Sequence, residues 1–276
     1  MTARGTVDKA IILAAGMGRR IAGAPLGSQI PKPLLPLDDS GTLTFLDWHL
    51  RALAAAGAKE IYIVGSKVTF GTKLAAMDRL GHVPTTWIMN DFPGDVSGSG
   101  HSAHLAFTSE YGILDGKSRV VLMDADIVYD PSIYADLAHG ESAGSKTLVC
   151  GRFRETDEEV MVFGDDRGVP RIHGKGLLGT PMVKDLSCMG EATGILLLEP
   201  KDHPTWLAAA AWCMKFSTAK TRSEHEDITQ RVMSMGSLDA VVFDDDTRCM
   251  ECDTPDEYVV LRRDMVPRWL PKLPPA

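Results

Sequence analysis

Three stretches of this chain carry side chains that could do chemistry on a phosphate. The first is Leu13-Ala14-Ala15-Gly16-Met17-Gly18-Arg19-Arg20, followed a loop later by Pro31-Lys32-Pro33. Glycine lacks a Cβ and tolerates positive φ, so a Gly-x-Gly turn lets backbone N–H groups come close to a ligand. Successive N–H groups in such a turn make an anion-binding concavity. Arg19, Arg20 and Lys32 add positive charge, and the flanking prolines restrict the backbone around the lysine. No Gly-Lys-Ser/Thr follows, so this is not a Walker A loop, and no third glycine completes a dinucleotide fingerprint. The chemistry that fits is a grip on a polyphosphate.

The second stretch is Met123-Asp124-Ala125-Asp126, at the end of the apolar run Val120-Val121-Leu122. Two acids ending a buried strand are costly unless paired. Strand alternation puts Asp124 and Asp126 on one side, where they could share a Mg²⁺, which takes few protein carboxylates plus water and phosphate oxygens. The third stretch is Met250-Glu251-Cys252-Asp253, whose two acids also alternate onto one face and could complete a metal shell. Asp253 is alternatively a cap for the helix that follows. In Glu224-His225-Glu226-Asp227, Asp227 is a candidate metal or acceptor contact, or simply an acid favoured in the first turn of a helix. Asp244-Asp245-Asp246 reads as a turn with no role.

These residues need a scaffold that brings distant stretches together. The spacing predicts strands over 9–15, 61–65, 86–90, 120–126 and 194–200. Helices are predicted over 44–56, 72–80, 99–109, 204–217 and the segment after Ser223, with Ser223 as N-cap and Glu226 three residues on. A last helix lies in 254–265, and the tail after it is frayed or packed locally. Residues 147–174 read as strands and hairpins turning at Asp165-Asp166-Arg167-Gly168. Alternating strands and helices, then a β-rich insertion, predict an α/β, Rossmann-like fold. Its mixed, mostly parallel sheet carries helices on both faces. A single domain over 1–276 is expected, with a nucleotide-binding half over about 8–146 and an acceptor-binding half over about 147–265.

Composition narrows the partners. The chain has 276 residues, 44% hydrophobic and 24% charged, with a net charge of −8, so a long nucleic-acid groove is not expected. No segment approaches the ~20 apolar residues of a membrane span. The short apolar run near the start lacks a cleavage pattern, so a cytoplasmic protein is expected. Five widely spaced cysteines argue for reduced thiols, and the lone Cys249-x-x-Cys252 pair does not complete a zinc site. The stretch Trp206 to Phe216 is a candidate homodimer surface.

Leu13-Ala14-Ala15-Gly16-x-Gly18-x-Arg20 followed by Pro31-Lys32-Pro33 resembles the nucleotidyltransferase signature L-A-A-G-x-G-x-R-L…P-K-P-L. Sugar-phosphate nucleotidyltransferases and phosphocholine cytidylyltransferases carry it, and the likeness extends along most of the chain. The resemblance implies a nucleotide-diphospho-sugar transferase type of fold. It also implies that the glycine loop, Leu13 to Arg19, wraps a nucleoside triphosphate, that Arg20 contacts its phosphates and that Lys32 stabilises the transferring phosphoryl group. The segment 97–107 resembles the family's Gly-Thr/Ser-x-x-x-Ala/Ser element near base and ribose, which brings in Ser99, Gly100 and Ser102. From the residues alone, Ser97 to Ser102 is a helix start with hydroxyl caps. Asn90, ending a predicted strand, and Asp124 join the nucleotide-binding candidates. Asp126 matches the family's metal-ligand Asp, and Met250 to Asp256 is similar to x-E-I-D-T-P-E-D, so Mg²⁺ ligation falls on Asp126, Glu251 and Asp253.

On the acceptor side the candidates are Arg152, Arg154, Lys175, Glu191 and Asp227. Lys175 resembles a family lysine after a hairpin, and Glu191 lies in a segment like the one that places acceptor groups. His101, His104 and His173 could also contact an anion. Asp-Ala-Asp looks more like the phosphocholine and phosphonate cytidylyltransferases than the sugar enzymes. Aromatics are only 7% of the chain, which suits an ammonium-binding box poorly, and Gly98-Ser99 stand where the phosphocholine enzymes have an Asn pair. The expected reaction is CTP plus a small phosphonate or phosphate monoester, with pyrophosphate released. A sugar-1-phosphate nucleotidyltransferase using UTP, GTP or another triphosphate is the close rival. A glycosyltransferase and a nucleotide-sensing module are the distant ones.

Overall fold

Along the first strand, β1 (Lys9–Ala14), successive residues enter two different cores. Ala10, Ile12 and Ala14 pack into one cluster, Ile11 and Leu13 into another. β2 (Glu60–Gly65) splits the same way, Ile61 and Ile63 against Tyr62 and Val64, and so does β4 (Val120–Asp124). This is the period-two pattern of a strand buried on both faces, which is why these segments read as continuous apolar runs. The structure, a computed structural model, describes residues 7–24, 30–67, 69, 84–92, 97–139, 144–151, 159–218, 222–243 and 248–275. The expected helix over 72–80 and the turn at 244–246 lie outside the described residues.

Among the described residues the main sheet has nine strands. Its path runs β10 (Leu238–Phe243), β6 (Ser145–Cys150), β9 (Ser187–Leu198), β4, β1, β2 and β3 (Thr85–Met89). β1, β2, β3 and β4 are mutually parallel, β10 is parallel to β6, and β9 runs against β4 and β6. A hairpin of β7 (Met161–Gly164) and β8 (Pro170–Gly174) leans on the first half of β9 over its own small core of Met161, Phe163, Leu177 and Val183. This is the β-rich insertion, turning at Asp165 to Gly168 as expected. No described helix is long and apolar enough to cross a membrane.

One face of the sheet is covered by α1 (Phe45–Ala55) and the C-terminal helical segment. That segment comprises α6 (Pro255–Val260), a π-helical turn over Leu261–Met265 and α7 (Val266–Trp269). A capping box between Thr44 and Asp47 starts α1, a feature worth about 1 kcal/mol. The other face carries α2 (Ser99–Phe107), α4 (His203–Phe216) and α5 (His225–Ser234). α3 (Ile133–His139) and β10 were not expected from the sequence.

Other expectations are corrected here. The strand expected over 120–126 stops at Asp124, because the chain turns at Ala125 and Asp126 into β5 (Ile127–Tyr129). The strand expected to begin at residue 194 begins at Ser187, since its first half is held by β7. Trp206 is fully buried against Phe107, which leaves Trp212 and Phe216 as the exposed large apolar side chains of the expected dimer stretch. The tail is packed: Trp269 and Leu273 are buried, and Pro274 O accepts a bond from Arg51 Nε at 2.6 Å.

Gly190, one residue before β9 begins to pair with β6, takes φ 135°, a conformation that disfavours side chains, and a Cβ there would stand 2.0 Å from the Cys150 carbonyl oxygen. Gly190→Ala is therefore expected to cost at least about 2 kcal/mol, combining backbone strain with overpacking. Urea unfolding monitored by circular dichroism measures it, and an unchanged midpoint would contradict the role.

Candidate active site

The four parallel strands end in line. Ala14 pairs with Gly65, Gly65 with Met89, and Leu13 with Asp124. Loops leaving this carboxyl edge carry most of the candidate residues, which is where open α/β sheets bind ligands. Ala15 to Arg20 leave β1 as an exposed turn with Gly18 at φ 56°. A Cβ on Gly18 would lie 3.2 Å from Lys32 Cβ, so this glycine makes room for the lysine.

A short antiparallel pairing brings the distant acids together. β11 (Cys249–Glu251) pairs with β5, setting Glu251 opposite Ile127, and Cys252 N donates to Asp126 O at 3.0 Å. Asp126, Glu251 and Asp253 each offer a carboxylate oxygen, all within 4.8 Å of one another. Lys32 Nζ, on a residue 7% exposed, donates to Asp126 Oδ2 at 2.8 Å and to Asp253 Oδ1 at 2.7 Å. Arg20 Nη2 meets Asp253 Oδ2 at 2.7 Å. Asp126 Oδ1 is buried without a partner, and burial with Asp126 and Asp253 alongside pushes Glu251 well above the carboxylate range, a shift that a bound cation would reverse. An acid trio with an unpaired oxygen fits a hard divalent cation.

Burial alone would lower the Lys32 pKa, but Asp126 and Asp253 outweigh it and hold the ammonium well above its ordinary range. Burial works to raise Asp253, and Lys32 with Arg20 brings it below the usual carboxylate value. Asp253 is not the cap of α6. Thr254 is the N-cap, accepting from Glu257 N, which leaves the Asp253 carboxylate to the cluster. Behind the Asp126 turn, buried His49 donates through Nε2 to Ala125 O at 3.1 Å, and its Nδ1 faces the Tyr129 hydroxyl at 3.2 Å. Burial holds this imidazole neutral, with its pKa down at about 4.

Asp124 and Asp126 do not share one ion site as strand alternation suggested. The strand ends between them, and the Asp124 carboxylate faces His225 Nε2 at 3.6 Å. Gly194, at φ 70°, leaves the space: a Cβ there would lie 2.6 Å from Asp124 Oδ2. Burial pushes Asp124 up, with Asp126 adding and His225 opposing. Burial would lower His225, yet Asp124 and Glu226 push it up to about 10.

The helix starts here also differ from expectation. The N-cap of α5 is Glu224, not Ser223, and Asp227 caps the turn by accepting from Glu224 N at 2.9 Å. α2 begins after Gly98 without a side-chain cap of its own. Its cap comes from Glu224, whose Oε2 accepts from Ser99 N at 2.6 Å and Ser99 Oγ at 2.8 Å, while Ser99 Oγ accepts from His225 N at 2.8 Å. Gly100 N donates to Ser223 O at 3.1 Å, and a Cβ on Gly98 would stand 2.3 Å from that oxygen. Ser99 and Gly100 thus join α2 to α5.

Asn90 lies just past β3, its Nδ2 donating to Ser97 Oγ at 2.9 Å and Ser102 Oγ at 3.0 Å. The Leu13 and Ala14 side chains are in the core, and their carbonyls accept from Ala125 N and Thr69 Oγ1. Met17 is exposed, with Arg19 Nη2 at 3.5 Å from its sulfur. Lys175 is exposed in the bend after β8, and Glu191 is half-buried on β9 opposite Cys150 and Met161. Asp227 is exposed at the start of α5. Arg152 and Arg154 lie outside the described residues. Sequence reasoning gave no role to His49, Glu224 or His225; a histidine between acids in Ser223-Glu224-His225-Glu226 was the only signal available.

Residues 10–231 match the family model described as the MobA-like NTP transferase domain. The fold also resembles the inositol-1-phosphate CTP transferase from T. maritima, with a TM-score of 0.69 and 17% identity over 95% of this chain and 97% of that one. At that identity the likeness is one of fold.

Three buried histidines shape the expected pH profile of stability. His225, raised to about 10, keeps a proton that the unfolded chain loses near 6.5, so its contribution is full below 6.5 and falls as pH rises toward 10. His49 and His173 are each lowered by burial to about 4, so their contributions are full above 6.5 and lost as pH falls through 4. Stability should peak near neutrality. On the alkaline side, His225→Gln should flatten the decline by up to about 1.4 kcal/mol per pH unit. Urea titrations at several pH values read this, and parallel alkaline limbs would count against it.

Proposed function

We propose that this chain, which belongs to the MobA-like NTP transferase domain family, is a Mg²⁺-dependent cytidylyltransferase that joins the CMP moiety of CTP to a small phosphonate or phosphate monoester and releases pyrophosphate. Nucleotidyl transfer follows from the family; base, acceptor and metal are the proposal. The observation that carries it is the meeting of Lys32 and Arg20 with Asp126, Glu251 and Asp253 beside the glycine turn. We assign the nucleotide to the 8–146 half and the acceptor to the 147–265 half, within one domain. The relative's name, a CTP transferase acting on a phosphate monoester, agrees with this choice.

The exposed N–H groups of Gly16 to Arg19 supply donors for a triphosphate, and Arg20 and Lys32 supply positive charge next to them. Asp126, Glu251 and Asp253 would hold Mg²⁺, which when bound supplies charge stabilisation between phosphate oxygens. An acceptor oxygen, already anionic, attacks the α-phosphorus in line and needs no general base. Lys32, with its backbone packed against Gly18 of the glycine turn, supplies a positive charge that would neutralise charge growing on the transferring group.

A pyrophosphate-release panel of CTP, UTP, GTP and ATP against phosphonates, phosphate monoesters and sugar 1-phosphates tests the assignment. CTP with a small phosphonate or phosphate monoester should give the highest kcat/KM, whereas turnover confined to UTP or GTP with a sugar 1-phosphate would replace this reading with the sugar-enzyme one. Asp126→Ala should abolish turnover at saturating Mg²⁺ with an unchanged circular dichroism spectrum. Lys32→Ala should lower kcat by roughly 10² or more, the scale of one lost electrostatic stabiliser; near-wild-type kinetics for either variant would remove that residue from the mechanism.

A further inference from the structure

Both oxygens of Asp253 are engaged by the protein's own cations, Oδ1 by Lys32 at 2.7 Å and Oδ2 by Arg20 at 2.7 Å. Asp126 gives Oδ2 to Lys32 at 2.8 Å, and its Oδ1 is left buried and unpartnered. A divalent cation held by these carboxylates would take oxygens that the Lys32 ammonium now occupies, and two like charges would share one small cluster, so the two compete. The two resident cations are unequally free to leave. The Arg20 side chain is 63% exposed and loses little by swinging into water, whereas the Lys32 side chain is 8% exposed. The neighbour that clears space for Lys32 is Gly18, in the turn proposed to hold the triphosphate.

From this we infer that Lys32 acts as an internal counter-ion that keeps the divalent cation off the carboxylate trio until a triphosphate draws the ammonium toward the glycine turn. The inference rests on the metal assignment of the proposed function and adds a direction to it: the free protein holds a divalent cation poorly, and the nucleotide and the cation enter together. Lys32 thereby has two partners in succession, the carboxylates first and the phosphates afterwards. Gly18 and the flanking prolines keep its backbone fixed while the ammonium exchanges them.

The test is Mn²⁺ binding to the nucleotide-free protein, read from the free-Mn²⁺ paramagnetic resonance signal and from the Mn²⁺-dependent shift in melting temperature. Lys32→Met should bind Mn²⁺ at least about tenfold more tightly than wild type, because it removes a like charge that competes for the carboxylates. Lys32→Gln should do the same and guards against a folding defect in the first variant. Arg20→Met should give a smaller gain, because Arg20 leaves readily. Equal or weaker Mn²⁺ binding in both Lys32 variants would overturn the inference, as would an equal gain from Arg20→Met. Asp126→Asn separates this from the metal reading. If the gain of Lys32→Met survives Asp126→Asn, the cation sits elsewhere and the metal assignment itself fails. If the Lys32 variants show no gain while Asp126→Asn still weakens wild-type binding, the metal assignment stands and the counter-ion role alone falls.

Discussion

The buried ammonium of Lys32, shared between Asp126 and Asp253, is the contact around which the site is organised. Its partners lie 94 and 221 positions away in the chain, so no local structure makes it. Asp126 arrives because β4 ends at Asp124, its last pair with the first strand, and the chain turns over the His49 imidazole. Asp253 arrives because β11 pairs with β5 and Thr254, rather than Asp253, caps α6. Removing a partner from a buried charge pair costs several kcal/mol, since the remaining charge keeps its desolvation penalty. The cluster therefore constrains the loop after the first strand, the β4 turn and the start of the C-terminal helices together.

A second charged junction ties the two halves of the chain. Glu224, N-cap of α5, also caps α2, and it can do so only because Gly98 and Gly100 let the two helix starts come within hydrogen-bonding distance. The carboxylate lies at the positive ends of two helices, where a negative charge is favourable. His225 extends the junction to Asp124 at the strand edge. The segment 97–107 is in this way held by a helix from the second half of the chain.

Much of this was legible in the sequence, and the limits have physical causes. Strands buried on both faces announce themselves as apolar runs, so β1, β2 and β4 were readable, and the glycine turn and Pro31-Lys32-Pro33 declare their chemistry by residue type. The convergence of Asp126, Glu251 and Asp253 was legible through family likeness; alternation alone had paired Asp124 with Asp126, because it assumes that a strand continues. The cap of α5 was missed because Ser223 looks the better local cap, and the choice of Glu224 depends on α2, more than a hundred positions earlier. Trp206 was misplaced because one aromatic stretch of α4 serves two faces: Trp206 reaches the core, Trp212 and Phe216 reach solvent. That Lys32 would sit directly on the carboxylates, rather than on a rim opposite them, depends on the depth of its burial, which no local pattern encodes.

The two charged centres differ in how their charges are met, and that difference argues for their roles. The His225 side chain is 5% exposed and meets Ser99, Glu226 and Asp124. Asp124 and Glu226 hold its proton against the cost of burial, so this charge is met by the protein's own acids. The Lys32 centre reaches the surface through Arg20 and through Asp126, whose side chain is 28% exposed. It keeps an unpaired buried oxygen at the carboxyl edge of a parallel sheet, and its third acid, Glu251, is pushed well above the carboxylate range by burial and by Asp126 and Asp253. A centre whose charges are met within the protein holds elements in register, whereas one with an unpartnered oxygen and a displaced acid is completed by what binds there. A cation would relieve both, and the turn beside it is rich in donors and positive charge, so the centre calls for a cation and an anion that arrive side by side.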